Sequence, residues 1–175
     1  MDESIYPIGK YTEQPISETL IRDWLLDIKF LASSLEHAVL NLDEYQLNTS
    51  YREGGWSIKQ IVHHLADSHM NAFIRCKLAL TEENPTIKPY NQDDWSVMPD
   101  VINVPINVSI TLLHALHQRW HVLLSNVSES QWNNTLHHPE YNRQMSLWFV
   151  FGLYAWHGKH HVAQIQALRT KMNWQ

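Results

Sequence analysis

Four stretches of this chain repeat apolar residues every three to four positions, and serine heads three of them. Ser17, Ser57 and Ser146 each offer a hydroxyl that can accept from a backbone N–H one turn ahead. That satisfies a donor which a helix start leaves free. Gln60 follows Ser57 three residues on, the reciprocal pairing that marks a helix entrance. The first helix is expected from Ser17 to about Leu42, with Leu20, Trp24, Leu25, Ile28, Leu31, Leu35 and Val39 along one side. A second is expected from Ser57 to about Glu82. The third starts near Asn107 or Ser109 and ends near Asn126, and the last runs from Ser146 to about Met172. No stretch alternates apolar and polar residues as a half-buried strand would. The expected fold class is all-α, a four-helix bundle.

The connections carry their own information. Tyr6-Pro-Ile-Gly-Lys-Tyr11 contains Pro and Gly, so residues 1–16 read as an extended arm. Asp43 to Leu47 reads as a short turn, and adjacent glycines make Tyr51 to Trp56 a loop. Pro85, Pro89, Pro99 and Pro105 punctuate a long crossover from Asn84 to Pro105, between the second and third helices. Crossovers of that length are commonly functional, and Tyr90 and Trp95 equip this one to pack over something. Ser128 with Gln131 repeats the capping pattern over a short helical turn, and His137-His138-Pro139 begins a loop. Asn41–Asn48 echoes Asn126–Asn133, which suggests two helix-turn-helix units of similar plan. A chain of 175 residues is expected to form one domain, spanning 1–175.

A net charge of −5 supplies no basic excess to offset phosphates, so nucleic acid is not an expected partner. No cleavable basic-apolar start and no apolar run of spanning length is present, so a cytoplasmic location with no membrane attachment is expected. The lone cysteine, Cys76, cannot form an internal disulfide, and its place inside a helix reads as core. Out of proportion are 12 histidines and 8 tryptophans. Histidine is the commonest metal ligand and the acid or base of neutral pH.

His157 and His161 are four residues apart in the last helix, hence about 40° apart around its axis. Val150, Leu153, Tyr154, Ile165 and Leu168 share their stripe, so both imidazoles are expected to face the bundle interior. Buried imidazoles need partners, and a divalent metal is one. On the second helix, His64 lies on a polar stripe with Gln60, Ser68, Asn71 and Arg75, beside the apolar face. Asp67, one turn on, can orient an imidazole or lie exposed. His63 falls near Lys59 and Lys77 and is expected at the surface, whereas His69 reads as a satisfied core histidine. His64, His157 and His161 form one candidate metal site. His114, His117 and His121 on the third helix form a rival at similar spacing. His37, His137, His138 and His160 carry no distinguishing signal.

Gly54-Gly-Trp-Ser-Ile-Lys-Gln-Ile-Val-His-His-Leu-Ala-Asp-Ser-His-Met-Asn71 resembles the first metal-binding segment of the YfiT-like branch of the DinB superfamily. Tyr154-Ala-Trp-His-Gly-Lys-His-His-Val-Ala-Gln164 resembles its last-helix segment. Tyr6-Pro-Ile-Gly9, Leu80-Thr-Glu-Glu-Asn-Pro85 and Pro89-Tyr90 extend the likeness over nearly the whole chain. The resemblance implies a four-helix bundle holding one divalent ion, zinc or nickel. It places the ligands at His64, His157 and His161, and so favours them over the third-helix trio. It also implies a cytoplasmic homodimer with metal-dependent hydrolase activity, or the bacillithiol S-transferase activity of the nearest branch. One departure is visible: an Arg-x-Gln that often follows the last ligand is here Val162-Ala163-Gln164, so a role for that arginine does not carry over.

Three imidazoles leave a divalent ion its full charge and an open position. Water acidified there would hydrolyse a small-molecule substrate, with Asp67 or Tyr154 as candidates for moving protons. A low-molecular-weight thiol, acidified in the same place, would attack an electrophile instead, and Arg75 could pair with an acidic thiol. A third possibility is a non-catalytic bundle in which the ion only stabilises, a fourth donor coming from the crossover.

Overall fold

The computed structural model describes residues 5–175. The Ser17 hydroxyl accepts from the Leu20 N–H and opens helix α1, Glu18–Ala38. This helix ends short of Leu42 because Asn41 adopts a φ of 62°, outside the helical region. The expected turn that follows is a helical turn, α2, Glu44–Leu47. Asp43 accepts from Gln46 N–H at 2.8 Å, and the Gln46 side chain accepts from Asp43 N–H at 2.9 Å. The Ser57–Gln60 pair closes in the same reciprocal way and starts α3, Ile58–Thr81.

The crossover carries two short helices, α4 (Gln92–Trp95) and α5 (Pro99–Asn103), before α6, Ile106–Ser125. After a 3₁₀ turn at Ser130–Asn133 comes an element the sequence reading did not contain. Strands β1 (Thr135–His138) and β2 (Arg143–Ser146) form an antiparallel hairpin, with Leu136 opposite Met145. His137 and His138, expected in a loop, are therefore strand residues. The crossover joins this hairpin, since His137 N–H donates to Pro85 O at 2.9 Å and Ile87 N–H to His137 O at 3.0 Å. Ser146 then caps α7, Leu147–Met172, through Phe149 N–H.

Helix α1 packs on α6 and α7, and α3 also packs on α6 and α7. Helix α1 is thus diagonal to α3, and α6 to α7, whereas α3 and α6, joined by the long crossover, are packed neighbours. Gly158 lets α1 and α7 come close, because a Cβ there would sit 2.7 Å from the Leu31 methyls. The described part of the arm runs along α7 without regular structure. Its Gly9 and Gln14 carbonyls accept from the indole N–H groups of Trp156 and Trp148. Residues 1–4 of the arm lie outside the described residues.

The interior divides along its length. One apolar cluster contains Trp24, Phe73, Trp120, Trp132, Trp148 and Phe151. The other contains Leu31, Leu35, Ile61, Leu65, Leu113 and Ile165. On each of α3, α6 and α7, histidines fall where the helix passes from one cluster to the other: His64 and His69, His117, and His157 and His161. A layer of imidazoles thus crosses an otherwise apolar bundle. Among the described residues, no helix is long and apolar enough to cross a membrane.

Candidate metal centre

Helices α3 and α7 are packed neighbours, so His64 on one faces His157 and His161 on the other. The Nε2 atoms converge. His157 Nε2 is 3.3 Å from His64 Nε2 and 3.2 Å from His161 Nε2. One donor atom from each of the three lies within 4.8 Å of the others, an arrangement that can hold a metal ion. Two nitrogens each about 2.0–2.1 Å from a tetrahedrally coordinated zinc are roughly 3.3–3.4 Å apart, so the spacing fits such a donor set.

The outward nitrogens show which way the imidazoles are protonated. His161 Nδ1 lies 2.8 Å from Gln164 Oε1. The Gln164 amide is itself oriented by donating to Ile5 O at 3.0 Å. An amide oxygen only accepts, so His161 Nδ1 carries the hydrogen and its Nε2 presents a lone pair. His157 Nδ1 is 3.1 Å from His69 Nε2. The Trp56 ring covers His64, with centroids 4.6 Å apart, and reaches His161 at 6.5 Å.

Burial opposes protonation throughout this layer. Desolvation lowers the His64 imidazole to about 4. It holds His157 and His161 well below the ordinary histidine range, with the neighbouring imidazoles adding to the effect. Uncharged imidazoles with free lone pairs are what a divalent cation requires.

A cavity of about 620 Å³ opens beside His157 and is lined by Arg75, Tyr90, His138, Tyr141 and Tyr154, among others. The Tyr154 hydroxyl accepts from Arg75 Nη1 at 3.4 Å, and Arg75 Nη2 donates to Lys88 O at 3.4 Å. Arg75 pairs with no carboxylate among the described residues. Burial raises the Tyr154 pKa, so this phenol stays protonated at neutral pH. The crossover supplies Tyr90 and the hairpin supplies His138, so both connections build the cavity wall.

Several expected positions need correction. His63 is buried, not exposed: its Nδ1 meets Ser109 Oγ at 2.8 Å and its Nε2 meets Val104 O at 3.2 Å, because the end of the crossover covers it. Asp67 orients no imidazole among the described residues. It is half-buried, and desolvation with the nearby Asp100 raises its pKa to about 6. The third-helix trio does not converge. His114 is exposed and pairs with Glu36, His121 is half-buried, and only His117 points inward. His69 is buried as expected, but it contacts both His117 and His157. Gln164, Trp56 and the His69–His117 contact went unassigned in the sequence reading. For Gln164 the available signal was its place three residues after His161, the spacing of one helical turn.

The comparisons with known proteins agree with this architecture. The family model described as the DinB superfamily matches residues 28–165. A Bacillus cereus protein named "Putative metal-dependent hydrolase" is 47% identical, over 99% of this chain and all of its own length. A relative from Bacillus thuringiensis subsp. konkukian, similarly named, is 47% identical over the same shares. Among solved structures, YfiT from Bacillus subtilis superposes with a TM-score of 0.96 at 40% identity, covering 99% of each chain. It is described as "a probable metal-dependent hydrolase with an unusual four-helix bundle topology". The diagonal placement of α1 and α3 and of α6 and α7, the family match and the full-length similarity together show that this chain belongs to the DinB superfamily and has the YfiT-like four-helix-bundle fold.

Proposed function

We propose that this chain is a metal-dependent hydrolase whose divalent ion, zinc or nickel, is held by His64, His157 and His161. The observation that carries the reading is the convergence of three neutral imidazoles, with Nε2 separations of 3.2 and 3.3 Å and no carboxylate among them. The names of the relatives point to the same class of chemistry. A divalent ion held by these three imidazoles would supply an acidified water, with a pKa lowered from about 15.7 towards about 7. The chain's own residues supply the rest. His157 reaches the cavity, so a substrate there abuts the three-histidine centre. Tyr154 keeps its proton and can donate a hydrogen bond to a substrate oxygen. The Arg75 guanidinium can hold substrate negative charge.

A second reading, thiol transfer, is favoured by the same Arg75: a cationic group without a carboxylate partner on a cavity wall suits an acidic low-molecular-weight thiol. Zinc- or nickel-loaded protein should be incubated in parallel with ester and amide reporters, and with several thiols plus monochlorobimane. Metal-dependent ester or amide cleavage supports hydrolysis. Conjugation that needs both metal and thiol replaces it with transfer. Neither activity, together with a melting temperature that drops on metal removal, leaves a metal-stabilised bundle.

A further inference from the structure

A line of hydrogen-bonded groups crosses the bundle and takes one member from each long helix. It begins at the Ile28 carbonyl on α1, meets His117 Nδ1 on α6, passes from His117 Nε2 to His69 Nδ1 on α3, and ends from His69 Nε2 to His157 Nδ1 on α7. Both nitrogen–nitrogen separations are 3.1 Å. His69 is 0% exposed and His117 1%. Neither pairs with a carboxylate among the described residues, so an imidazolium there would be a buried, uncompensated charge.

Neutral imidazole has a single N–H, and that fixes every proton in the line. The Ile28 carbonyl can only accept, so His117 Nδ1 carries hydrogen and His117 Nε2 must accept. His69 Nδ1 therefore donates, and His69 Nε2 accepts from His157 Nδ1. The His157 hydrogen is thereby held on the nitrogen facing away from His64 and His161. A free histidine side chain favours the opposite tautomer, with hydrogen on Nε2, where it would point at the centre of the trio.

We infer that His69 and His117 are positioning residues: anchored on the Ile28 carbonyl, they hold His157 in the tautomer that offers its Nε2 lone pair to a metal. This role rests on the metal reading above, whereas the order of the protons does not. No sequence spacing could reveal it, because each contact joins different helices.

The first measurement uses ¹⁵N-labelled, metal-free protein. Long-range proton–nitrogen spectra should show His117, His69 and His157 all protonated on Nδ1. Hydrogen on Nε2 of His157 would overturn the inference, and this test needs no variant to fold. The second measures zinc affinity by chelator competition. His117→Leu should weaken zinc binding by about 10- to 100-fold, the usual consequence of losing a ligand's outer partner. It should also shift His157 towards the Nε2 tautomer. His117→Gln places an amide oxygen where His69 Nδ1 needs an acceptor, and should stay within about threefold of wild type. A His117→Leu protein that binds zinc as wild type does, with the His157 tautomer unchanged, would refute the positioning role and leave the metal centre standing. Wild-type protein that binds no zinc yet shows the inferred tautomers would refute the metal reading and uphold the proton order.

Discussion

Replacing Gln164 with leucine tests how the protein prepares His161. Leucine approximates the volume of glutamine, so the change removes hydrogen bonding with little cavity formation. Two contacts disappear: His161 Nδ1 to Gln164 Oε1 at 2.8 Å, and Gln164 Nε2 to Ile5 O at 3.0 Å. In the metal-free variant the imidazole can change tautomer and relieve its unpaired donor. Metal binding removes that freedom, because Nε2 must then offer its lone pair and Nδ1 must keep its hydrogen. An unpaired buried donor costs about 1–3 kcal/mol, which corresponds to roughly 5- to 150-fold weaker binding. Competition of Gln164→Leu and wild type for zinc against a chromophoric chelator reads this directly. Melting of both metal-free proteins shows how much of the change is stability alone. Zinc affinity within about twofold of wild type would refute the reasoning, since it falls below that range.

Three further outcomes follow from the geometry. Gly158→Ala should destabilise the fold by about 1–3 kcal/mol in urea titrations, because the new methyl meets Leu31 and α1 must move away from α7. Metal-free protein should lose stability as pH falls. Burial lowers His117 and His64 to about 4 in the fold, while the unfolded chain binds those protons from about 6.5 downward. Their contribution is thus full above about pH 6.5 and lost towards about 4, and urea midpoints that stay level over that window would contradict it. Arg75→Met should raise KM for anionic substrates or acidic thiols while leaving zinc affinity unchanged, since Arg75 lines the cavity but touches no member of the trio. A parallel loss of zinc binding would show that the residue acts on the centre itself.

The helices were legible because their signals are local. Ser17, Ser57 and Ser146 cap as their positions indicate, and the apolar period marked the inward faces of α1 and α7, where Trp24, Ile28, Leu31, Leu35, Val150, Tyr154, Ile165 and Leu168 are buried. The hairpin was not legible. Its strands are four residues each, and only Leu136 and Met145 among them are apolar residues turned inward. Pairing with the distant Pro85–Ile87 backbone helps to hold it, and no local pattern records that. His63 shows another limit: a helical wheel gives an angle around one axis, but not the segment that comes to cover that face. Val104 and Ser109 do so here. The spacing of His157 and His161 nominated a site, but the inward lone pairs depend on Gln164, His69 and His117. Of these contacts only Gln164 to His161 lies within one helix.

The central claim is that His64, His157 and His161 form one metal centre. X-ray absorption and elemental analysis of protein reconstituted with zinc test it together. The account predicts about one ion per chain, bound by three imidazole nitrogens at about 2.0–2.1 Å, with any one His→Ala substitution lowering occupancy. Less than about 0.1 ion per chain, or full occupancy in all three alanine variants, would contradict it.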